Sequence, residues 1–503
     1  MSVSFGSLPA AMRAPLFYAE VDRSAANQGG ADVLKTLLVG QRTSTGSKAA
    51  GLLTRITSAA QALAFYGRGS MLHRMAMAYF AGDALGEVYA ISLDDNGAGV
   101  PAAGSIKCTT LPSAAGVLSF YIAGTLVSVS VTTSDTKITI AQKIEDAIDA
   151  LPDLPVTALT DGIDKVDITA KNDGPQGNDI DLRLNYLGEA GGESTPAGSA
   201  WTIVAMAAGA TEPSTVPAID AMADEAFEFV AWPYTSTTAL NLLRDELADN
   251  STGRWGPMRQ LYGHAFSALR NTVGNLTTAG NLRNDPHVTI AGIDKSPSWT
   301  PEIAAAMTAA VAGSIRVDPA RPLHTLPLVG ILAPEVIDRF SLTERNTLLF
   351  DGIATLTSSR AGEVAIERAI TTYQLNTSSA PDASCLDSET LFTLAAILRR
   401  LRSAITSKFG RHKIVNDGTR IGAGQAATTP GSIRGELIAQ YRAMEADGWV
   451  ENADAFKANL VVERNGLDPS RVDVLFPPDL ANGLRVFALL NQFRLQYPAA
   501  TAA

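Results

Sequence analysis

Apolar runs alternating with amphipathic helices set the fold of this chain, and one long acidic segment with a different period interrupts them. Thr36–Val39 reads as a buried strand leaving the sheet through a glycine turn, followed by a helix near Leu52–Tyr66. After the interruption come a helix at Val216–Ala226, the strand FEFVAWP, and a helix TALNLLRDELAD with Leu240, Leu243 and Leu247 on one side. Such alternation predicts an α/β core whose mostly parallel sheet is covered on both faces. The core then comprises residues 30–92 and 216–384. A chain of 503 residues holds about three domains at ~150 residues each.

The interrupting segment, 93–215, reads as a β-rich inserted domain. Gly-, Pro- and Ser-rich stretches at Asp94–Ser105 and Gly188–Ser199 bracket it as linkers would. GVLSFYIAGTLVSVSVTT alternates around Gly124 as a hairpin does, and KVDITA and DIDLRLNYL repeat with period two. One helix interrupts, with Ile140, Ile144, Ile148 and Leu151 on one face. The segment carries sixteen acidic and six basic residues, most of the chain's net −11, which serves solubility. As an insertion it is expected to face outward and to be removable, few contacts crossing to its host.

The residues argue against several functions. Gly40–Lys48 looks at first like a phosphate loop, but five residues separate Gly40 from Gly46, Ser47 precedes Lys48, and Ala49 stands where a Mg²⁺-binding hydroxyl belongs. An NTP-dependent enzyme using Lys48 is the alternative of a different class. His73, His264, His287, His324 and His412 show no metal-ligand spacing, and no nucleophile elbow or dinucleotide fingerprint occurs, so neither catalysis nor a cofactor is expected. The acidic balance disfavours nucleic acid as a partner. Cys108 and Cys385 lie far apart, as befits a reducing cytoplasm without structural disulfides. The N-terminus does not read as an export signal, and no run of about 18 apolar residues spans a membrane.

The region 385–503 reads as an α+β C-terminal domain. It opens with a long helix, Ser388–Phe409, carrying Leu391, Leu394, Leu398, Leu401 and Ile405 at helical spacing. Thr390–Val415 contains no acid but holds Arg399, Arg400, Arg402, Lys408, Arg411 and Lys413. Both chain ends look like strand-forming arms. Residues 1–29 include Leu16, Phe17, Tyr18, Ala19, Glu20 and Val21, and near the other end Leu484, Val486, Ala488 and Leu490 alternate with Arg485, Phe487 and Leu489. Strands of this kind fold back onto their own sheet or pair with another chain.

Several stretches in order along the chain resemble the contractile tail sheath proteins of Mu-type phages. They are SLPAAMRAPLFYAEVD near the start, GPQGNDIDLRLNY, VDPARPLHTLPLVGILAP, RFSLTERNTLLFDGIATL, GEVAIERAITTYQLN, LDSETLFTL, and the terminal VVERNGLDPSRVDVLFPPDLANGLRVFALL. The resemblance implies a non-catalytic subunit that stacks as six-membered rings around a tail tube and contracts to drive it through a host envelope. It implies as partners other copies of the chain, the tube protein, and baseplate and tail terminator proteins, with no direct insertion into the membrane. The location implied is the virion tail, after synthesis and assembly in the bacterial cytoplasm. A phage-derived bacteriocin or injection apparatus would use the same chemistry. The resemblance also turns the two arms toward pairing between subunits and places the basic stretch of the C-terminal domain against the tube.

Overall fold

A computed structural model describes residues 33–496. The arm residues Leu16–Val21 lie outside the described residues. Two compact units are formed: one from Lys35–Leu394, Gly448–Glu451 and the chain from Asp479 onward, the other from Ala395–Asp447 with Asn452–Pro478.

The first unit opens with strand β1 (Lys35–Gln41), from whose Thr36 onward every residue is buried. Strand β2 (Leu53–Ile56), helices α1 (Ala59–Tyr66) and α2 (Met71–Gly82) and strand β3 (Glu87–Leu93) follow. The helix expected from Leu52 therefore begins seven residues late. Leu53–Ile56 lies antiparallel on β3 instead, and the helix starts where the Ser58 hydroxyl accepts from the Gln61 N–H.

The 93–215 segment forms two small sheets and a helix. Strand β4 (Pro101–Thr110) precedes the hairpin of β5 (Gly116–Ile122) and β6 (Thr125–Val131). Its two turn residues, Ala123 and Gly124, have φ of 48° and 75°, the conformation a tight right-twisted hairpin requires. Helix α3 (Lys137–Asp149) buries Ile140, Ile144 and Ile148, the face expected. Strands β7 (Val156–Thr160), β8 (Lys165–Asp173), β9 (Leu182–Leu184) and β10 (Ala200–Ala207) complete the sheets β10-β4-β8-β7 and β6-β5-β9.

The chain then returns through α4 (Val216–Met222), β11 (Phe229–Ala231), α5 (Thr237–Leu247), β12 (His264–Arg270), α6 (Val273–Asn281), β13 (Val288–Ile293), α7 (Thr300–Val317), β14 (Pro327–Leu332), α8 (Leu342–Phe350), β15 (Ala354–Ser358) and β16 (Glu363–Arg368). The resulting nine-stranded sheet has the order β14-β16-β15-β13-β12-β11-β1-β3-β2. From β15 to β3 neighbouring strands run parallel, and antiparallel strands close both edges. Strand order reverses at β1, between β3 and β11. In doubly wound sheets the crevice at the carboxyl ends of such strands is where ligands bind.

In this protein the 93–215 segment fills that crevice. At the end of β1 the Gln41 amide donates to the Asp173 carbonyl at 2.7 Å and to the Asp95 carboxylate at 2.6 Å. Asn172 donates to the Arg42 carbonyl at 2.9 Å and accepts from the Met71 N–H at the head of α2. The Trp299 indole, before α7, donates to the Gln176 carbonyl at 2.7 Å, and Thr300 donates to Asp179. Arg270, at the end of β12, reaches Asp181 and the Asp179 carbonyl. The expectation that few contacts cross from the insertion to its host does not hold, because backbone carbonyls and polar side chains of the insertion satisfy polar groups at this end of the core.

One ion pair ties α2 to α7 inside this unit. Arg74 Nε lies 2.6 Å from Glu302 Oε1, and both side chains are buried. Removing one partner of a buried pair strands the other's charge. Arg74→Ala should therefore lower unfolding stability by about 3–5 kcal/mol, measured by denaturant titration, whereas Arg74→Met combined with Glu302→Leu should recover most of the loss.

The second unit contains most of helix α9 (Ser388–Phe409), the short pair β17 (Lys413–Ile414) and β18 (Ala427–Thr428), helices α10 (Pro430–Ala446) and α11 (Ala453–Asn459), and an antiparallel ladder of β19 (Val461–Arg464) and β20 (Val472–Leu475). Helix α9 has the bounds expected, although Leu398 of its apolar stripe is exposed. No strand forms over Leu484–Leu490, contrary to the alternation there: nothing in the described chain pairs with its backbone.

Candidate assembly interface

The Gly40–Lys48 loop does not have the form of a phosphate cradle, because the N–H groups of its last three residues are turned to carbonyls of the chain. Gly46 N–H donates to the Thr43 carbonyl, Ser47 N–H to Ala64 and Lys48 N–H to Phe65. The Lys48 ammonium sits over the Phe65 ring, 4.9 Å from its centre. A Cβ on Gly46 would lie 2.6 Å from the Phe65 carbonyl, so the glycine answers a packing need.

Three of the five histidines, His73, His264 and His287, are buried in the packing. Burial drives His73 down to about 4, keeping it neutral. His287 stacks on Trp255 with ring centres 4.5 Å apart and bonds Asp249 at 3.0 Å. His264 is enclosed with Phe266 and Phe392. Among the described residues no cluster of His, Cys, Asp or Glu has the makings of a metal site. No helix there is long and apolar enough to cross a membrane.

The basic stretch is less uniform than its sequence. Helix α10 and its end bring acids to it that lie far off along the chain. Arg400 donates to Asp447 at 2.6 Å and to Gln440, and Lys408 pairs with Glu436. The hydrogen bond from Lys408 holds the Glu436 carboxyl below its ordinary value, helped by the Gln440 amide. A depressed folded pKa means that this pair contributes at neutral pH and is lost as pH falls through the lowered value. Arg399 is half-buried. Arg402 and Arg411 are exposed and have no ion-pair partner among the described residues, and Lys413 touches only Gln425 at 3.4 Å. Arg420, in the loop after β17, is a further exposed cation that the sequence reading did not single out.

The terminal segment presents a run of exposed apolar side chains. Leu484, Val486, Phe487, Leu489, Leu490, Phe493 and Leu495 are all exposed, Leu490 to 92% and Leu495 to 97%. Ala488 is exposed too, so beyond Arg485 neither side of the alternation is covered. The β19–β20 ladder has two strands only, and among the described residues neither outer edge is paired. Two-stranded sheets are marginal in water without further strands.

Comparison with known proteins gives this surface its setting. The family model of the phage tail sheath protein central domain matches residues 208–372, and that of the phage tail sheath C-terminal domain matches 380–494. The Mu-like prophage FluMu tail sheath protein of Haemophilus influenzae is 40% identical over 496 residues, which is 98% of this chain and 100% of that one. The chain belongs to the phage tail sheath family. Among solved structures, the anti-feeding prophage helical sheath in its contracted state is 12% identical with a TM-score of 0.49, the match covering 97% of this chain and 100% of that one. A sheath tail protein from Desulfitobacterium hafniense is 13% identical with a TM-score of 0.47, covering 93% and 97%.

For a tail sheath protein, the features that matter are surfaces that join copies. The reading of the chain as a structural subunit is that of its family. Sequence reasoning found the apolar tail and the basic stretch but missed the pairing of Lys408 and Arg400. No signal along the chain marks which acid, 28 or 47 residues away, folds beside which base.

Proposed function

We propose that this sheath protein assembles as stacked six-subunit rings around a phage tail tube and, on a baseplate signal, rearranges to a shorter, wider tube that drives the inner tube through the host envelope. The observation that carries this reading is the exposed apolar segment beyond Arg485, which the rest of the described chain leaves uncovered. Added as a strand to a neighbour's sheet edge, it would be held by directional backbone bonds while the chain between segment and body bends. The unpaired edges of β19 and β20 offer such a place. The N-terminal segment 1–29 is proposed to act as a second arm. Partners are then other copies of the chain, the tube protein, and baseplate and terminator proteins at the two ends. The subunit is made and assembled in the host cytoplasm and resides in the virion tail.

The tube-facing surface is proposed to include Arg402, Arg411 and Lys413, cations not committed to carboxylates of the described chain. A tube gripped before firing and released during it favours several weak, exposed ion pairs over an apolar seal, each worth ~0.2–1 kcal/mol and weakened by salt. The Arg402→Glu/Arg411→Glu/Lys413→Glu variant should reduce co-sedimentation with tubes by about tenfold, and raised salt should mimic it, while self-association is spared. Reversal at Arg400 or Lys408 would be less clean, since it also breaks a pair with α10 or the residue just after it. Unchanged co-sedimentation would move the tube contact elsewhere.

A further inference from the structure

The chain between Asp479 and Arg485 is fastened to the first unit at three points. Its backbone forms an antiparallel bridge, Val450 opposite Leu480, with the Glu451 N–H donating to the Asp479 carbonyl at 2.9 Å and the Ala481 N–H to the Trp449 carbonyl at 3.1 Å. Gly483 then passes Pro322 so closely that a Cβ there would lie 2.7 Å from the proline ring. Finally Arg485 turns inward against the start of α9, where its guanidinium pairs with Glu389 and lies 3.3 Å from Asp387. Asp387 is held in turn by both nitrogens of a fork from Arg368, at 2.8 and 3.0 Å. Arg485 is largely covered while the next residues, Val486 and Phe487, are each 79% exposed. The boundary between fastened and unfastened chain therefore falls at one side chain.

We propose that Arg485 is the anchor of the C-terminal arm, a positioning residue whose clamp between Asp387 and Glu389 fixes where the apolar segment 486–495 departs and presents it to a second copy of the chain. The inference rests on the arm-pairing reading above. Its physical content is entropic: a segment tethered at its last fixed residue searches a smaller volume for a neighbour's edge than one loosened back to Asp479, and does not settle onto its own body. A charged, largely desolvated pair is a stronger fastening than an exposed one.

The test compares assembly of full-length variants. Arg485→Gln leaves Glu389 as a buried carboxylate without a cation, so Arg485→Gln/Glu389→Gln is made beside it to remove that stranded charge. The double variant should fold and melt like the parent, yet its critical concentration for tube formation should rise about tenfold, with proteolytic clipping of the tail accelerated to a similar degree. Arg485→Lys should keep most assembly. A chain ending at Arg485 should form no tubes. If the double variant assembles at the parent's concentration while the truncated chain does not, the anchor is wrong and the arm reading stands. If the truncated chain assembles normally, the arm reading itself falls.

Discussion

Replacing residues 94–215 with a short Gly/Ser bridge from Leu93 to Val216 should give an unfolded or aggregated chain, not a smaller working subunit. The excision would remove the partners of Gln41, Arg270, Trp299 and Thr300 and of the Arg42 carbonyl and Met71 N–H, all at the carboxyl end of the sheet or beside it. The segment's Leu118, Phe120 and Ile122 also belong to the same buried cluster as Leu37, Leu72 and Trp299 of the core, and apolar area opened to water costs about 25 cal/mol per Å², enough over a few side chains to consume much of the ~5–15 kcal/mol by which a domain is stable. Gel filtration and circular dichroism would decide the matter. A monomeric product with a cooperative melt would show that the core closes without the segment.

Removal of residues 486–503 should have the opposite signature: a subunit that folds and melts as before but forms no tubes. None of Val486–Leu495 is covered by the rest of the described chain, so its loss should cost the monomer little. In the assembly, burying its Leu, Val and Phe side chains would contribute roughly 1.5–3 kcal/mol each as an upper value. Even a few such burials would shift the critical concentration more than a hundredfold. Sedimentation of the truncated chain beside the parent measures the effect. Tubes formed at the parent's concentration would show that the segment is a bystander, and a lost melt would show that it belongs to its own subunit. Deletion of Met1–Gly29 is expected to impair assembly in the same way.

Local periodicity made much of the fold legible. The continuous apolar run of β1, the Ala123–Gly124 hairpin, the isoleucine face of α3 and the full length of α9 follow from patterns contained within each element. What could not be read depends on neighbours distant in sequence. Leu53–Ile56 is an edge strand because β3 lies beside it, though its residues suit a helix start equally well. Strand β10 hides behind a Gly-rich stretch that resembles a linker, and the first linker-like stretch, Asp94–Ser105, already contains the start of β4. Those same glycines and prolines made the insertion look detachable, although Gln176 and Asn172 are buried against the core. At Leu484–Leu490 the alternation is genuine, but a strand requires a second strand, and the described residues supply none. The basic stretch showed its charge and concealed its partners for the same reason.

Negative-stain electron microscopy of the purified full-length chain tests the central claim most directly. A tail sheath subunit whose exposed C-terminal segment pairs with a neighbouring copy should, as concentration rises, give rings or tubes with a central lumen, and the chain ending at Arg485 should give only dispersed particles under the same conditions. Dispersed single particles from both, at concentrations where the full-length chain is soluble and folded, would contradict the account.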